Sequence, residues 1–152
     1  MAQRRRLALT LALLFAGTFL SAPTATASDA TTQIAPQTVR VQLKSAPTRL
    51  DAAGRAHVVM WTKCSPDLFL FEIDVSVVQG DNIGQVTLLR GTDELPVCDG
   101  LRHRFVVTVA PDQGTFHNGV ARIGVFVGAF DAANDADLDA TDEVRVRLRS
   151  GC

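Results

Sequence analysis

The sequence predicts an all-β protein, an antiparallel two-sheet sandwich of the immunoglobulin-like kind with about seven strands. Three observations carry this expectation. Apolar and polar residues alternate with a period of two along most of residues 37–152. No long stretch repeats at the helical period. Turn-forming residues interrupt the alternation at short intervals.

The chain opens on an address. Arg4, Arg5 and Arg6 form a positive start, Leu7 to Leu20 is an apolar run broken by Thr10, Gly17 and Thr18, and Ala25-Thr26-Ala27 has the form of a cleavage site. This predicts a secretory signal peptide over residues 1–27 and a secreted, extracellular product. The apolar run is shorter than the about 20 residues of a membrane span, so no span is expected after cleavage. Residues 28–36 are rich in Thr, Ala, Ser and Pro without periodicity and read as a flexible leader. The domain is expected over 37–152. Taking the three leading arginines from 15 basic and 16 acidic side chains leaves 12 against 16, a net charge of −4. That balance argues against a nucleic-acid binder.

The strands follow in order. Val39, Val41 and Leu43 alternate with Arg40, Gln42 and Lys44. Ala56 to Lys63 is the second run. Phe69, Phe71, Ile73, Val75 and Val77 alternate with Glu72, Asp74 and Ser76 in the third. Gln85 to Arg90 is the fourth and Arg102 to Val109 the fifth. Ala121 to Phe130, apolar on both phases, is the sixth. Val144, Val146 and Leu148 alternate with Arg145, Arg147 and Arg149 in the seventh. Asp51 to Gly54, Ser65-Pro66-Asp67, Gly80-Asp81-Asn82, Pro111 to Gly114 and Asn118-Gly119 supply the turns between them.

An immunoglobulin-like pairing puts the first, second, fifth and fourth strands in one layer and the third, sixth and seventh in the other. The end of the second strand then lies beside the start of the fifth. That brings Cys64 and Cys98 toward the Cα separation of about 5–6 Å a disulfide requires. An exported chain with three cysteines suits one bridge and one remainder. Cys152 follows the last strand at the opposite pole, so the protein is expected as a monomer or as a Cys152-linked dimer. No CxxC and no histidine at zinc spacing accompany the cysteines, so they are not read as a metal site.

The segments "WTKC", "CDGLRHRFVVTV", "FHNGVARIGVFVGAFD" and "VRVRLR", behind a signal peptide, resemble those of small secreted actinobacterial proteins with an immunoglobulin-like β-sandwich of unknown function. The resemblance covers roughly residues 37–149. It implies an exported immunoglobulin-like fold and carries over no catalytic or binding residue.

Reaction chemistry is sparse. His57, His103 and His117 are far apart in sequence, with His57 and His103 on strands that place them as possible cross-strand neighbours and with no spaced carboxylate beside either. No G-x-S-x-G, phosphate loop or nucleotide fingerprint occurs. No catalytic residue, cofactor or metal is therefore expected, and the reading is a binding module for an unknown protein or cell-envelope partner. Asp135, Asp137 and Asp139 have the D-x-D-x-D spacing of a weak calcium candidate, but Ala140 and Val146 stand where a calcium loop of the EF-hand type needs Gly and Glu. Arg145, Arg147 and Arg149 point one way from the last strand, either to acidic cross-strand neighbours or to an acidic envelope polymer. Leu68 and Leu70 share the phase of Glu72 and Asp74. With Phe126 and Phe130 they are expected to form an outward apolar patch beside the acidic segment Asp131 to Glu143, at the pole of the Ser65–Asp67 turn. Two alternatives stand beside this reading. One is an exported protease inhibitor, or other enzyme-directed protein, acting through Thr92 to Gly100; the other is a structural envelope component joined through Cys152.

Overall fold

A computed structural model describes residues 36–151 of the chain. The signal peptide, all but the last residue of the expected leader, and Cys152 lie outside the described residues. The strands are β1 (Val39–Leu43), β2 (Thr48–Leu50), β3 (Ala56–Cys64), β4 (Leu68–Gln79), β5 (Asn82–Leu89), β6 (His103–Val109), β7 (Gly119–Asp131) and β8 (Ala136–Ser150). The all-β expectation holds. Among the described residues no helix is long and apolar enough to cross a membrane.

The strands hydrogen-bond in the order β1-β3-β2-β8-β7-β4-β5, and β6 attaches to β3. β1 and β2 share one edge of β3, with Leu43 opposite Met60 and Leu50 opposite Ala56. β6 takes the other edge from Ala56 to Thr62. Val58 and Met60 from β3, Val107 and Val109 from β6, Ile73 and Val75 from β4, Ile123 and Val127 from β7, and Leu148 from β8 belong to one buried cluster. Period-two alternation delivers each of these to the same interior. Burying such a side chain is worth about 1.5–3 kcal/mol, so the alternation itself selects this pairing.

Three features differ from the sequence expectation. The structure has eight strands because the segment after β1 breaks at Ser45-Ala46-Pro47 and resumes as β2. Proline has no amide hydrogen for a ladder, and three residues are too few to show a period. β2 runs parallel to β8, with Thr48 opposite Leu148, so the sheet is mixed rather than purely antiparallel. β5 pairs with β4, from Gln79–Asn82 to Glu72–Leu89, and not with β6. The cause is the two-residue turn Gly80-Asp81, in which Gly80 has φ +59°. A hairpin that short returns the chain directly beside the strand it left.

A β-bulge in β4 sets the geometry of the candidate site. Leu70 opposes Ala129 and Glu72 opposes Gly128, leaving Phe71 as the additional residue. The bulge reverses the phase of everything before it. Leu68 and Leu70 are 4% and 3% exposed and belong to the core. Phe69 and Phe71 take the outward positions instead. The expected patch of Leu68, Leu70, Phe126 and Phe130 is therefore corrected: its two leucines are buried, and two phenylalanines replace them. A Cβ on Gly128 would lie 2.6 Å from the Phe71 ring, so only glycine lets that ring lie down across β7.

Cys64 and Cys98 form the expected disulfide, with Cα atoms 4.9 Å apart. The bridge ties the end of β3 to the segment leading into β6. The Gly100 amide donates to the Cys64 carbonyl at 3.0 Å beside it.

Candidate functional site

The outward surface of β8, β7, β4 and β5 can be built row by row from the strand register. Asp137, Phe130 and Phe69 form the first row. Asp139, Gly128, Glu72 and Leu89 form the second. Thr141, Phe126, Asp74 and Thr87 follow, then Glu143, Gly124, Ser76 and Gln85, then Arg145, Arg122, Val78 and Ile83. Arg147 and Val120 complete the far end. The register thus sorts this face by charge: carboxylates from Asp137 to Glu143, guanidiniums from Arg145 onward.

Aromatic residues lie in the acidic half. The Phe69 and Phe130 rings are 5.3 Å apart and tilted by 52°. The Arg90 guanidinium sits 4.4 Å from the Phe69 centroid, a cation–π contact. Phe126 stands between Gly124 and Gly128. Where Gly124 lacks a side chain, the face sinks into a hollow of about 620 Å³ bordered by Asp74, Ser76, Gln85, Phe126, Thr141 and Glu143. In the basic half Val120 and Ile83 are 57% and 50% exposed.

The arginine stripe does not meet the acidic neighbours considered from the sequence. Arg145 opposes Arg122, Arg147 opposes Val120 and Arg149 opposes Arg49. Among the described residues the ion pair on this face is Arg122 with Glu143, at 3.8 Å and exposed to solvent. Such a contact is worth little.

The acidic β7–β8 connection has a structural use for one carboxylate. Asp131 is buried and accepts from the Asn134 side chain at 2.7 Å, the Ala133 amide at 2.9 Å and the Asn134 amide at 3.2 Å. The Asn134 side chain foremost, then the two amides, holds its carboxyl below the usual carboxylate range. Asp135, the first of the calcium candidates, occupies the turn with φ +50°. Asp137 and Asp139 extend along the outer face of β8. The three do not gather into a group of metal-ligating side chains among the described residues.

The histidines are not neighbours. His57 opposes Thr108, whose hydroxyl lies 3.1 Å from its Nδ1. His103 opposes Thr62 and finds a carboxylate that the sequence reading passed over: its Nε2 is 2.8 Å from Asp99.

The segment Thr92 to Gly100 is fastened at both ends. The Leu89 amide and the Thr92 hydroxyl each donate to Asp93 at 3.0 Å. The Cys98 bridge closes the other end. Between them Val97 is 63% exposed.

No family model matches the chain, and no curated protein matches it. Among solved structures it is similar to a β-glucosidase from Listeria innocua in complex with glucose, at 12% identity and a TM-score of 0.37 over 76% of this chain and 16% of that one. The same enzyme in complex with isofagomine gives 13% identity and a TM-score of 0.36, again over 76% and 16%. The chain spans about a sixth of the length of these proteins.

Of the residues singled out in sequence, Phe126 and Phe130 lie on the outer face together with Asp137, Asp139 and the arginine stripe. Phe69, Phe71, Val120 and Ile83 were missed. The available signal was Gly128: a glycine within an apolar strand asks for something lying over it.

Proposed function

We propose that the protein is a secreted, non-enzymatic binding module with an immunoglobulin-like two-layer sandwich, in which β1, β2, β3 and β6 back the recognition sheet β8-β7-β4-β5. The observation that carries the proposal is the outer face of that sheet. It gathers aromatic rings, a glycine hollow and exposed aliphatic side chains on a surface otherwise polar and charged. Extended strands hold these groups at fixed spacing, so binding needs little ordering of the protein. The partner is a protein or a cell-envelope component.

Co-sedimentation of the purified protein with the envelope fraction of producing cells tests the proposal. Phe126→Asp is expected to abolish sedimentation, and Val97→Asp to leave it intact. The opposite pattern favours the second reading, an enzyme-directed inhibitor acting through Thr92 to Gly100. What supports that reading is the exposed Val97 held between two anchors.

A further inference from the structure

The charge order of the outer face favours one partner in particular. Along β8 the outward residues are Asp137, Asp139, Thr141, Glu143, Arg145, Arg147 and Arg149, so the sign changes once, between Glu143 and Arg145. On β7, Phe126 and Gly124 lie on the acidic side of that line and Arg122 and Val120 on the basic side. On β4, Glu72 and Asp74 extend the acidic half. A surface divided in this way complements itself when a second copy is turned end over end.

We infer that the outer face of β8-β7-β4-β5 is a self-association surface, occupied by the same face of a second copy about a two-fold axis. The inference rests on the reading of this face as the recognition surface. The axis lies in the interface, perpendicular to the strands, and passes between Glu143 and Arg145. An axis parallel to the strands would set carboxylates against carboxylates. The perpendicular axis instead sets Glu143 against Arg145 of the second copy and Asp139 against Arg149. On β7 it sets Phe126 against Val120 and Gly124 against Arg122. Each contact occurs twice, as an isologous interface requires.

The Gly124–Arg122 match gives the hollow its occupant. The guanidinium of the second copy enters a depression bordered by Asp74, Glu143, Thr141, Ser76 and Gln85, with the Phe126 ring alongside. Two carboxylates, three neutral acceptors and an aromatic face suit the five donors and flat cation of arginine. Arg90 over Phe69 is the same chemistry within one chain. Val120 and Ile83, otherwise bare, are covered in the same step.

The area limits the strength. Four strands at about 4.8 Å spacing and about eight residues of length cover roughly 500 Å² per copy. A total near 1,000 Å² lies at the low end for specific interfaces. An interface of this size is expected to form reversibly, and it is distinct from a covalent Cys152 bridge.

Sedimentation equilibrium of the Cys152→Ala chain isolates the non-covalent contact. The expected result is a monomer–dimer equilibrium that weakens as salt rises. Arg149→Asp and Asp139→Arg are each expected to weaken it about tenfold or more, because each places like charges together twice. The two combined restore association, which also excludes misfolding as the cause of the single losses. A chain that stays monomeric, or single variants that dimerise as tightly as the parent, would overturn the inference. So would a double variant no better than the singles. Retention on an acidic polymer lost with Arg147→Glu, in a chain that never dimerises, would overturn it in favour of a polymer ligand for the stripe. Envelope sedimentation measured on the same samples separates the two claims: its persistence without dimerisation removes self-association and leaves the binding module standing.

Discussion

Asp99 and Asp131 each sit where hydrogen-bond donors converge, and each does so next to a turn. The His103 imidazole foremost, then the Leu101 amide, holds the Asp99 carboxyl below its usual range. The Asn134 side chain does the same for Asp131. A carboxyl depressed in the folded chain stabilises it fully above the ordinary value of about 4, and that contribution is lost as pH falls through the lower folded value. Thermal melting is therefore expected to show no loss from these groups between about pH 5 and 7 and a decline below about pH 4. Asp99→Asn and Asp131→Asn should each make that decline shallower. An acid limb identical in the parent and both variants would contradict the assignment. At this scale the sequence was partly legible. The Asp131–Glu143 segment stood out as acidic, but the residue that organises it is Asp131, through local amides, and not the regularly spaced Asp135, Asp137 and Asp139. Asp99 and His103 are four residues apart, a spacing that suggests nothing until a turn folds one onto the other.

Among the elements, β6 could be read directly, because alternation against a buried face leaves one register, while β3 and β7 could be located as apolar runs whose facing the sequence left open. The Cys64–Cys98 bridge followed from the neighbourhood of β3 and β6, which the structure retains. β4 could be read only past its bulge. One additional residue at Phe71 shifts every preceding side chain to the other face, and nothing in a run of Leu, Phe, Leu, Phe marks where the shift falls. β5 was placed on the wrong neighbour although Gly80-Asp81-Asn82 was recognised as a turn, because the immunoglobulin-like pairing was adopted whole and the strand was begun at Gln85 rather than at Asn82. With the true start, the turn has two residues and the pairing is forced. Close packing against the next connection confirms the placement: a Cβ on Gly84 would lie 2.2 Å from the Ala110 carbonyl oxygen. The bridge closes a sequence separation of 34 residues. Replacing Cys64 and Cys98 together by alanine is expected to lower stability by about 2–4 kcal/mol, read as the urea midpoint shift. An unchanged midpoint would mean that the bridge constrains nothing that the strands do not already hold.

For the molecule as a whole, the described residues form a sheet whose two long strands, β7 and β8, carry the sequence's most uneven chemistry. The alternation that builds the core also projects every second residue outward. A strand spelled with acids first and arginines last must therefore present a divided face. The pattern was visible in the sequence as two unrelated features, an acidic segment and a basic stripe. The register makes them one surface and adds Phe126 and Phe130 from β7 to Phe69 and Phe71, which the bulge turns outward. The most direct measurement is a map of backbone amide chemical shifts, first on dilution and then with solubilised envelope fraction. Shifts concentrated at Val120–Gly128 and Asp137–Arg149, with β3 and β6 unmoved, are the predicted result. Shifts confined to Glu94–Leu101, or none under either condition, would contradict the assignment of recognition to this face.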